Sequence, residues 1–373
     1  MAVTKSHSLS VGIVGLPNAG KSTIFNALTK MSVPAENFPF CTIDKNVGMV
    51  EIPDGRLQKL AELYNAKEIV PSVMKFVDIA GLVKGASKGE GLGNQFLSHI
   101  REVDVIMYVL RAFPGSGVVH VYDRVDPVED FEIVQSELIL KDIETIEKKL
   151  EGLKKEARIS KEGEIEMKKD VLEKILEHLN DGKPVIEMEF SEEGDAFVKE
   201  LWLLTNKKRM FVLNIKEEIQ TEKLDEWKKK LSEVTGDNQG EYIVCADVKL
   251  INDMAGLDED EKKEFLTMFT GKPIDIEDII DIAYKRLNLI TFYTGSEKEV
   301  NAWTIEDGAN VREAAGAIHT DLENSFISAD VVSLNTMMEE GGWQKAKEKG
   351  LVRNHNKDYL VKDGDYIIIL ANA

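Results

Sequence analysis

The feature that most constrains this sequence is a glycine-rich octapeptide at 15–22, Gly-Leu-Pro-Asn-Ala-Gly-Lys-Ser, which fits the pattern G-x-x-x-x-G-K-S. An apolar run at 9–14 precedes it and a helix-prone segment at 23–30 follows it. A strand, a glycine-rich turn and a helix in this order surround a phosphate with backbone N–H groups. The motif predicts that Lys21 reaches the β- and γ-phosphates of a nucleotide and that the Ser22 hydroxyl binds Mg²⁺. A turn that binds nothing is the disfavoured alternative.

Length and composition predict a cytoplasmic globular protein with two or three domains. The chain has 373 residues, of which 43% are hydrophobic and 31% are charged. No apolar run is long enough to span a bilayer, and the N-terminus lacks the apolar core of a signal peptide. The two cysteines make neither a disulfide framework nor a zinc site. A formal net charge of −20 argues against nucleic-acid binding by the whole surface, but allows a local basic patch or a basic protein partner.

Two further segments predict ligands for the same metal ion. The apolar run 73–77 is followed by Asp-Ile-Ala-Gly. In a P-loop protein this arrangement places the Asp78 carboxylate near Mg²⁺ and the Gly81 backbone N–H near the γ-phosphate. Thr42 lies in the loop after the P-loop helix, where a hydroxyl can become a second Mg²⁺ ligand. Alone, a loop threonine is more often solvated, so both predictions depend on the P-loop upstream.

The usual water-orienting residue is replaced in this sequence. Regulatory GTPases often have a glutamine directly after the Asp-x-x-Gly motif, and this chain has Leu82 there. The protein therefore either hydrolyses nucleotide slowly or uses another side chain. His120 is a candidate catalytic residue, although a lone histidine is more often structural. The amide oxygen of Asn18 is a candidate ligand for K⁺, and a turn-forming asparagine is an equal alternative.

Two predicted strand ends carry candidate base contacts. Nucleotides bind at the C-terminal ends of parallel strands. The apolar run 210–213 is followed by Asn-Ile-Lys-Glu, and the run 242–244 is followed by Cys-Ala. The candidate nucleotide-binding residues at these ends are Asn214, Glu217, Cys245 and Ala246.

The first of these strand ends predicts a preference for adenine. Guanine-specific proteins have Asn-Lys-x-Asp there, and the Asp accepts hydrogen bonds from the guanine N1–H and 2-amino group. Here Ile215 replaces the Lys and Glu217 replaces the Asp. Adenine has no donor at N1 or C2, so this variant relaxes guanine selectivity, and we expect Asn214 to contact adenine N7 and N6. An ordinary strand-to-helix cap is the alternative.

A helical segment interrupts the α/β pattern from Pro127 onward. Apolar residues recur at alternating spacings of four and three, with charges between them, on both sides of a break at 160–163. This pattern predicts two helices joined by a short turn, an antiparallel hairpin of the coiled-coil type. The apolar seam is self-packing core, and the outward faces are a candidate docking surface. The seam positions are Ile139, Ile143, Ile146, Leu150, Leu153, Leu172, Ile175 and Leu179.

The tail from about 288 predicts a separate small unit. Strand-like segments at 289–293 and 299–305 precede a helix-like segment at 311–319, and a last strand is predicted at 366–370. One short helix that crosses a small mixed sheet is a β-grasp pattern. The tail has no second phosphate loop, so we expect it to bind a partner and not to carry out chemistry.

These segments together resemble the YchF family of Obg-like ATPases, and the likeness covers essentially the whole chain. The long glycine-rich segment at 78–97 is the most specific of them. The other matching segments are the P-loop at 15–23, Asn-Phe-Pro-Phe-Cys-Thr-Ile at 37–43, Asn-x-x-Glu at 214–217, Ile-His-Thr-Asp at 318–321 and Lys-Asp-Tyr at 357–359.

The resemblance implies a doubly wound α/β P-loop domain (a G domain) with an inserted helical coiled-coil arm and a C-terminal β-grasp domain of the TGS type. The implied boundaries are 1–126 with 206–287 for the G domain, 127–205 for the arm and 288–373 for the TGS domain. It also implies a translation-factor-related ATPase that prefers ATP to GTP and associates with ribosomes. Obg-related proteins lack the catalytic glutamine as well, and His120 lies in the histidine segment that the family has after its fourth strand.

The sequence therefore predicts an ATP-hydrolysing switch that binds the ribosome or its large subunit. We expect Mg²⁺ as its cofactor, with K⁺ as a second candidate, weaker binding of GTP, a monomeric state, and neither membrane nor sequence-specific DNA as partner. Two alternatives stay open: an interaction module whose nucleotide only sets its conformation, and a GTP-preferring translation GTPase. The predicted site consists of Asn18, Ala19, Gly20, Lys21, Ser22, Thr23, Gly81, Asn214, Glu217, Cys245 and Ala246 for the nucleotide, Ser22, Thr42 and Asp78 for the metal, and Lys21 and His120 for catalysis.

Overall fold

The computed structural model divides the chain into two compact units. The P-loop unit contains 10–48 and 75–283, and the C-terminal unit contains 49–74 and 284–373. None of the helices in the described part of the chain is both long and apolar enough to cross a membrane. The structure describes residues 9–30, 46–79, 99–113, 124–156, 162–216, 221–237, 240–266 and 274–372.

The regular elements are two six-stranded sheets and the helices that accompany them. The strands are β1 (Ser10–Val14), β2 (Val47–Glu51), β3 (Glu68–Val70), β4 (Val73–Asp78), β5 (Val105–Arg111), β6 (Lys208–Asn214), β7 (Ile243–Ala246), β8 (Leu289–Gly295), β9 (Glu299–Glu306), β10 (Phe326–Ser333), β11 (Arg353–His355) and β12 (Asp365–Ala371). The helices are α1 (Lys21–Lys30), α2 (Gly55–Tyr64), α3 (Pro127–Glu156), α4 (Glu162–Asn180), α5 (Glu192–Glu200), α6 (Thr221–Thr235), α7 (Val248–Met254), α8 (Glu259–Leu266), α9 (Ile276–Leu287), α10 (Val311–Ile318), α11 (Thr320–Asn324), α12 (Leu334–Glu339) and α13 (Trp343–Glu348).

The first sheet has the strand order β2-β4-β1-β5-β6-β7. β1 pairs in parallel with β4 and β5, and parallel pairing continues from β5 to β6 and from β6 to β7. Every residue of β1 and β5 is buried. This burial explains why both strands are rich in apolar residues, as is usual for parallel strands that are covered on both faces. The chain order reverses at β1, which opens a crevice at the C-terminal ends of the strands. The predicted doubly wound α/β sheet is confirmed.

The two predicted long helices are α3 and α4, and their apolar positions share one buried cluster. Ile139 and Ile146 of α3 lie in this cluster with Leu172, Ile175 and Leu179 of α4. The apolar seam that the sequence indicated therefore packs as core, while a regular coiled-coil geometry for the pair stays a prediction.

The first turns of α3 belong to the core of the sheet. The ring of Phe131 packs edge-on against Tyr108 of β5 and Phe211 of β6, with centroids 5.1 and 5.3 Å away. Val134 and Leu138 extend the same cluster. This packing explains why the segment predicted as a separate arm, 127–205, groups with the P-loop unit.

A buried aspartate joins α3 to the chain that returns toward β6. The Asp142 side chain is 1% exposed. It accepts hydrogen bonds from the backbone N–H groups of Leu204 and Thr205 at 3.0 and 2.8 Å and from the Thr205 hydroxyl at 2.7 Å. Burial raises the pKa of the Asp142 carboxyl, and these three hydrogen bonds partly offset that effect. The carboxylate thus accepts hydrogen bonds from three buried donors of Leu204 and Thr205, and it fixes this part of the chain to α3.

The second sheet has the order β11-β10-β12-β8-β9-β3. β8 and β9 form an antiparallel pair, and β12 pairs in parallel with β8. α10 begins with a capping box between Asn310 and Glu313. The strands and the helix predicted for the tail are present.

One part of the C-terminal unit comes from far upstream in the chain. β3 pairs in parallel with β9, and Leu57 and Leu60 of α2 are buried in the same cluster as Tyr293 of β8. The sequence placed 49–74 in the G domain, within 1–126, whereas the contacts group this segment with the tail. The reason is the pairing of β3 with β9. A strand of only three residues has no local sequence pattern from which such a long-range pairing could be predicted.

Candidate functional site

The loop between β1 and α1 depends on glycine at two positions. Gly15 and Gly20 have φ angles of +153° and +108°, which residues with a β-carbon rarely adopt. A β-carbon at Gly15 would overlap the carbonyl oxygen of Val109, and one at Gly20 would overlap the Asn214 amide. The two glycines of the motif therefore allow close contacts between the loop and the strand ends around it.

Lys21 is buried within this loop, although lysine side chains are normally exposed. The residue is 8% exposed, and its Nζ donates a hydrogen bond to the carbonyl oxygen of Leu16 at 2.9 Å. Burial lowers the pKa of the Lys21 ammonium, and the nearby Asp78 carboxylate partly opposes this shift. A cation held by one neutral acceptor is suited to exchange that acceptor for a phosphate oxygen.

Asp78 ends β4, next to β1 in the parallel pairing. Its Oδ1 is buried and has no hydrogen-bond partner among the described residues. Burial raises the pKa of the Asp78 carboxyl, and the charge of Lys21 partly reverses the effect. A buried carboxylate oxygen without a donor is unfavourable unless a ligand supplies its partner. Together with the exposed Ser22 at the start of α1, this oxygen-donor set fits Mg²⁺.

Asn214 connects three elements at the edge of the site. The residue is 6% exposed. Its Nδ2 donates to the carbonyl oxygen of Ala19 at 2.8 Å, and its Oδ1 accepts from the Val248 backbone N–H at 3.3 Å. The side chain thus joins the end of β6 to the P-loop and to the first turn of α7. Each end of the amide keeps one further hydrogen-bonding position that a base could use.

The other predicted residues described by the structure lie at the same edge. Asn18 has a φ of 64° and is exposed, and Thr23 is half-buried in the first turn of α1. Ala246 pairs with Asn214 across β6 and β7. Cys245 is half-buried, and burial raises the pKa of its thiol. The P-loop and the ends of β4, β6 and β7 are thus brought together, while the roles of their residues in nucleotide binding stay predictions.

The chain is similar to known proteins over nearly its whole length. Residues 10–186 match the family model described as 50S ribosome-binding GTPase, and residues 289–372 match the C-terminal YchF GTPase model, described as a protein of unknown function. The protein named ribosome-binding ATPase YchF from Bacillus subtilis (strain 168) is 45% identical over 368 residues, which cover 98% of this chain and 100% of that protein. The chain belongs to the YchF family.

More distant members of the YchF family match over nearly the whole chain as well. Obg-like ATPase 1 of Oryza sativa subsp. japonica is 40% identical over 371 residues, covering 99% of this chain and 93% of that protein. The solved structure of the Schizosaccharomyces pombe YchF GTPase superposes with a TM-score of 0.82 at 34% identity, covering 97% of this chain and 98% of that one. The family resemblance read from the motifs is confirmed.

Four of the predicted site residues of this YchF-family chain lie outside the described residues. They are the metal ligand Thr42, the γ-phosphate contact Gly81, the catalytic candidate His120 and the base contact Glu217. Their roles stay predictions.

Arg111, which was not among the predicted site residues, ends β5 beside Asn214 in the parallel pairing. The side chain is 1% exposed, its Nε donates to the carbonyl oxygen of Phe113 at 3.2 Å, and its guanidinium lies 4.8 Å from the Phe113 ring centre. The Lys216 ammonium lies 4.8 Å from the same ring. The Phe113 ring, just after β5, thus contacts both Arg111 and Lys216, and it links the end of β5 to the segment after β6. An arginine at the end of a wholly apolar strand was the available signal.

Proposed function

We propose that this YchF-family chain binds ATP with Mg²⁺ at the P-loop, hydrolyses it, and associates with the ribosome. The observation that supports the nucleotide site best is the buried Oδ1 of Asp78, which has no hydrogen-bond partner in the described part of the chain and lies close to the buried Lys21. The ribosome association is supported by the names of relatives that match this chain over nearly its whole length.

The phosphate-binding residues have distinct roles in this proposal. The Lys21 Nζ leaves the carbonyl oxygen of Leu16 and donates to a phosphate oxygen, so that a neutral acceptor is replaced by a charged one. Ser22 and Asp78 hold the metal, with Thr42 as a further ligand. When bound by these residues, the metal would help to neutralise the negative charge that develops on the phosphate oxygens. Catalysis by Lys21 is therefore electrostatic, and His120 and a K⁺ ion at Asn18 are additional candidates for the hydrolytic step.

The proposed preference for ATP rests on the segment after β6. Asn214 is fixed by its two hydrogen bonds to Ala19 and Val248, and its remaining donor and acceptor are available for adenine N7 and N6. Glu217 replaces the aspartate that would pair with guanine. A guanine base would not find the usual aspartate acceptor for its N1–H and 2-amino group, so we propose that GTP binds more weakly.

The remaining parts of the proposal concern the other elements. We propose that the tail from 288 is a TGS-type domain that binds a partner, and that the segment 127–205 is a second contact element. A cytoplasmic monomer is the state we propose for the chain. The grouping of the tail in the C-terminal unit supports the first assignment, and the others rest on the sequence and the family resemblance.

Calorimetry with nucleotide analogues tests the base preference. We expect a non-hydrolysable ATP analogue to bind the Mg²⁺-loaded protein in potassium buffer about tenfold more tightly than the GTP analogue, roughly 1.4 kcal/mol. Omission of Mg²⁺ should weaken both analogues alike, because the metal contacts phosphates and not the base. Tighter binding of the GTP analogue would contradict the assignment of Asn214 and Glu217 to adenine.

A further inference from the structure

An exposed tryptophan lies on the helical segment, away from the predicted nucleotide contacts. Trp202 follows the end of α5, and 63% of its surface is exposed. Its backbone has a φ of 52°, in the left-handed region. A bulky residue in that conformation has an unfavourable backbone energy. Because most of the ring is exposed, burial of apolar surface offsets little of that cost. The combination of backbone strain and exposure suggests that the ring has a function in binding.

A lysine side chain lies beside this ring. The Lys207 ammonium is 5.8 Å from the Trp202 ring centre, and it donates hydrogen bonds to the carbonyl oxygens of Arg101 and Val103 at 2.9 and 2.6 Å. Those bonds fix the ammonium in place, so the contact with the ring is a cation–π interaction with an ordered partner. The orientation of Trp202 is thus partly determined before any partner binds.

Two grooves flank Trp202 and the C-terminal end of α5. The first, about 620 Å³ in volume, is lined by Trp202 and Leu201 together with Thr145 of α3. The second, about 500 Å³, lies between α4 and α5, with Met167 and Phe197 among its lining residues. Glu200 lines both grooves. The two grooves therefore adjoin at this carboxylate and offer an aromatic side chain on either side of it.

Carboxylates are in excess in the groove between α4 and α5, whereas the Trp202 groove has Arg101 and Lys149 beside Glu102 and Glu200. The segment 189–200 contains five carboxylates and one lysine. Glu193 and Glu200 are exposed on the groove between α4 and α5, where Lys168 is already paired with Glu164 at 2.7 Å. The carboxylates of the groove between α4 and α5, next to the exposed aromatic ring of Trp202, complement a cationic segment with an apolar anchor. An RNA strand would meet repulsion from the same carboxylates.

We propose that α5 and the turn after it, 192–202, form a docking surface for a lysine- and arginine-rich protein segment with an aliphatic or aromatic anchor. The anchor packs on Trp202 and Phe197, and the basic side chains pair with Glu193 and Glu200. A chain with a net charge of −20 then reaches a nucleoprotein particle through basic protein segments and not through phosphates. Only this last link to the ribosome rests on the proposed function.

The test uses the full-length protein and a synthetic probe. A fluorescein-labelled amphipathic lysine–leucine peptide is titrated with the wild-type chain, and fluorescence anisotropy reports binding. We expect a scrambled peptide of the same composition to bind about tenfold more weakly, because its apolar residues no longer share one face. The double substitution Glu193→Lys with Glu200→Lys should weaken binding of the amphipathic peptide by about tenfold or more.

A matched control separates the groove from general acidity. Glu226 and Glu233 are exposed on α6, so their replacement by lysine makes the same change in net charge at another place. This control should change peptide binding by less than about twofold. Equal losses in the two double variants would overturn the proposal, since binding would then reflect only the overall charge.

Substitutions of Trp202 separate a binding role from a structural one. Trp202→Gly removes the ring and relieves the left-handed backbone, so the thermal unfolding midpoint should not fall, while peptide binding should weaken by about fivefold or more. Trp202→Phe should restore most of the binding. Unchanged binding in Trp202→Gly would overturn the proposal, and so would tighter binding of poly(U) RNA than of the peptide with the same dependence on Trp202.

Discussion

Substitution of Lys21 by methionine is expected to lower the affinity for ATP by about a hundredfold, because charge-assisted hydrogen bonds to phosphate contribute about 1.5–3 kcal/mol. Turnover should fall further, by about a thousandfold, since the ammonium also stabilises charge that develops in the transition state. Methionine keeps an unbranched side chain of similar length. The buried ammonium, whose pKa is lowered by burial, is removed, so the fold should lose no stability. Calorimetry and steady-state phosphate release measure the two effects.

The other end of the same helix provides the control for this prediction. Lys30 is exposed at the last position of α1, where its Nζ donates to the carbonyl oxygen of Asn252 at 2.6 Å. Lys30→Met removes the same charge from α1 without touching the loop, and we expect its ATP affinity to stay within about twofold of the wild type. If Lys21→Met bound ATP as tightly as Lys30→Met, the phosphate-binding role of the loop would be wrong.

Substitution of Asp142 by alanine is expected to lower the free energy of unfolding by about 3–5 kcal/mol. The change leaves the backbone N–H groups of Leu204 and Thr205 and the Thr205 hydroxyl without their acceptor in a buried environment. Asp142→Asn keeps one acceptor oxygen but turns an amide N–H toward a donor, so its loss should be smaller. Denaturant unfolding followed by circular dichroism measures both.

An exposed aspartate on the neighbouring helix is the matched control. Asp170 lies on α4 in an exposed position, and Asp170→Ala should change the free energy of unfolding by less than about 0.5 kcal/mol. A similar small effect of Asp142→Ala would show that the segment around Leu204 does not depend on this carboxylate.

Elements with a local sequence pattern were predictable. The P-loop combines an apolar strand, glycines at fixed positions and a helix start, and the strand ends at Asp78 and Asn214 follow apolar runs. The long helices α3 and α4 repeat apolar residues at helical spacing. In each case the pattern lies within one short stretch of consecutive residues, which is the range over which hydrophobic periodicity predicts secondary structure.

Features that depend on distant parts of the chain were not predictable. β3 is only three residues long and is fixed by pairing with β9 more than two hundred residues later. The double contact of Asn214 with Ala19 and Val248 requires three strand-to-helix turns to meet. The sequence suggested a base contact for Asn214 but gave no indication that this side chain also joins the P-loop to α7.

The acidity of the chain limits how it can contact a nucleoprotein particle. A protein that binds RNA through phosphates usually presents a basic surface, and the net charge here is −20. The docking surface proposed at 192–202 provides a different route, through basic protein segments. The two routes differ in a measurable way, since the second depends on Glu193 and Glu200.

The most direct test of the account is the rate of ATP hydrolysis with and without purified ribosomes. We predict slow phosphate release by the chain alone, because Leu82 cannot orient water, and a severalfold or greater stimulation by ribosomes that is lost in Lys21→Met. Ribosome binding that responds to the bound nucleotide while hydrolysis stays unstimulated would contradict the account and favour an interaction module in which turnover is incidental.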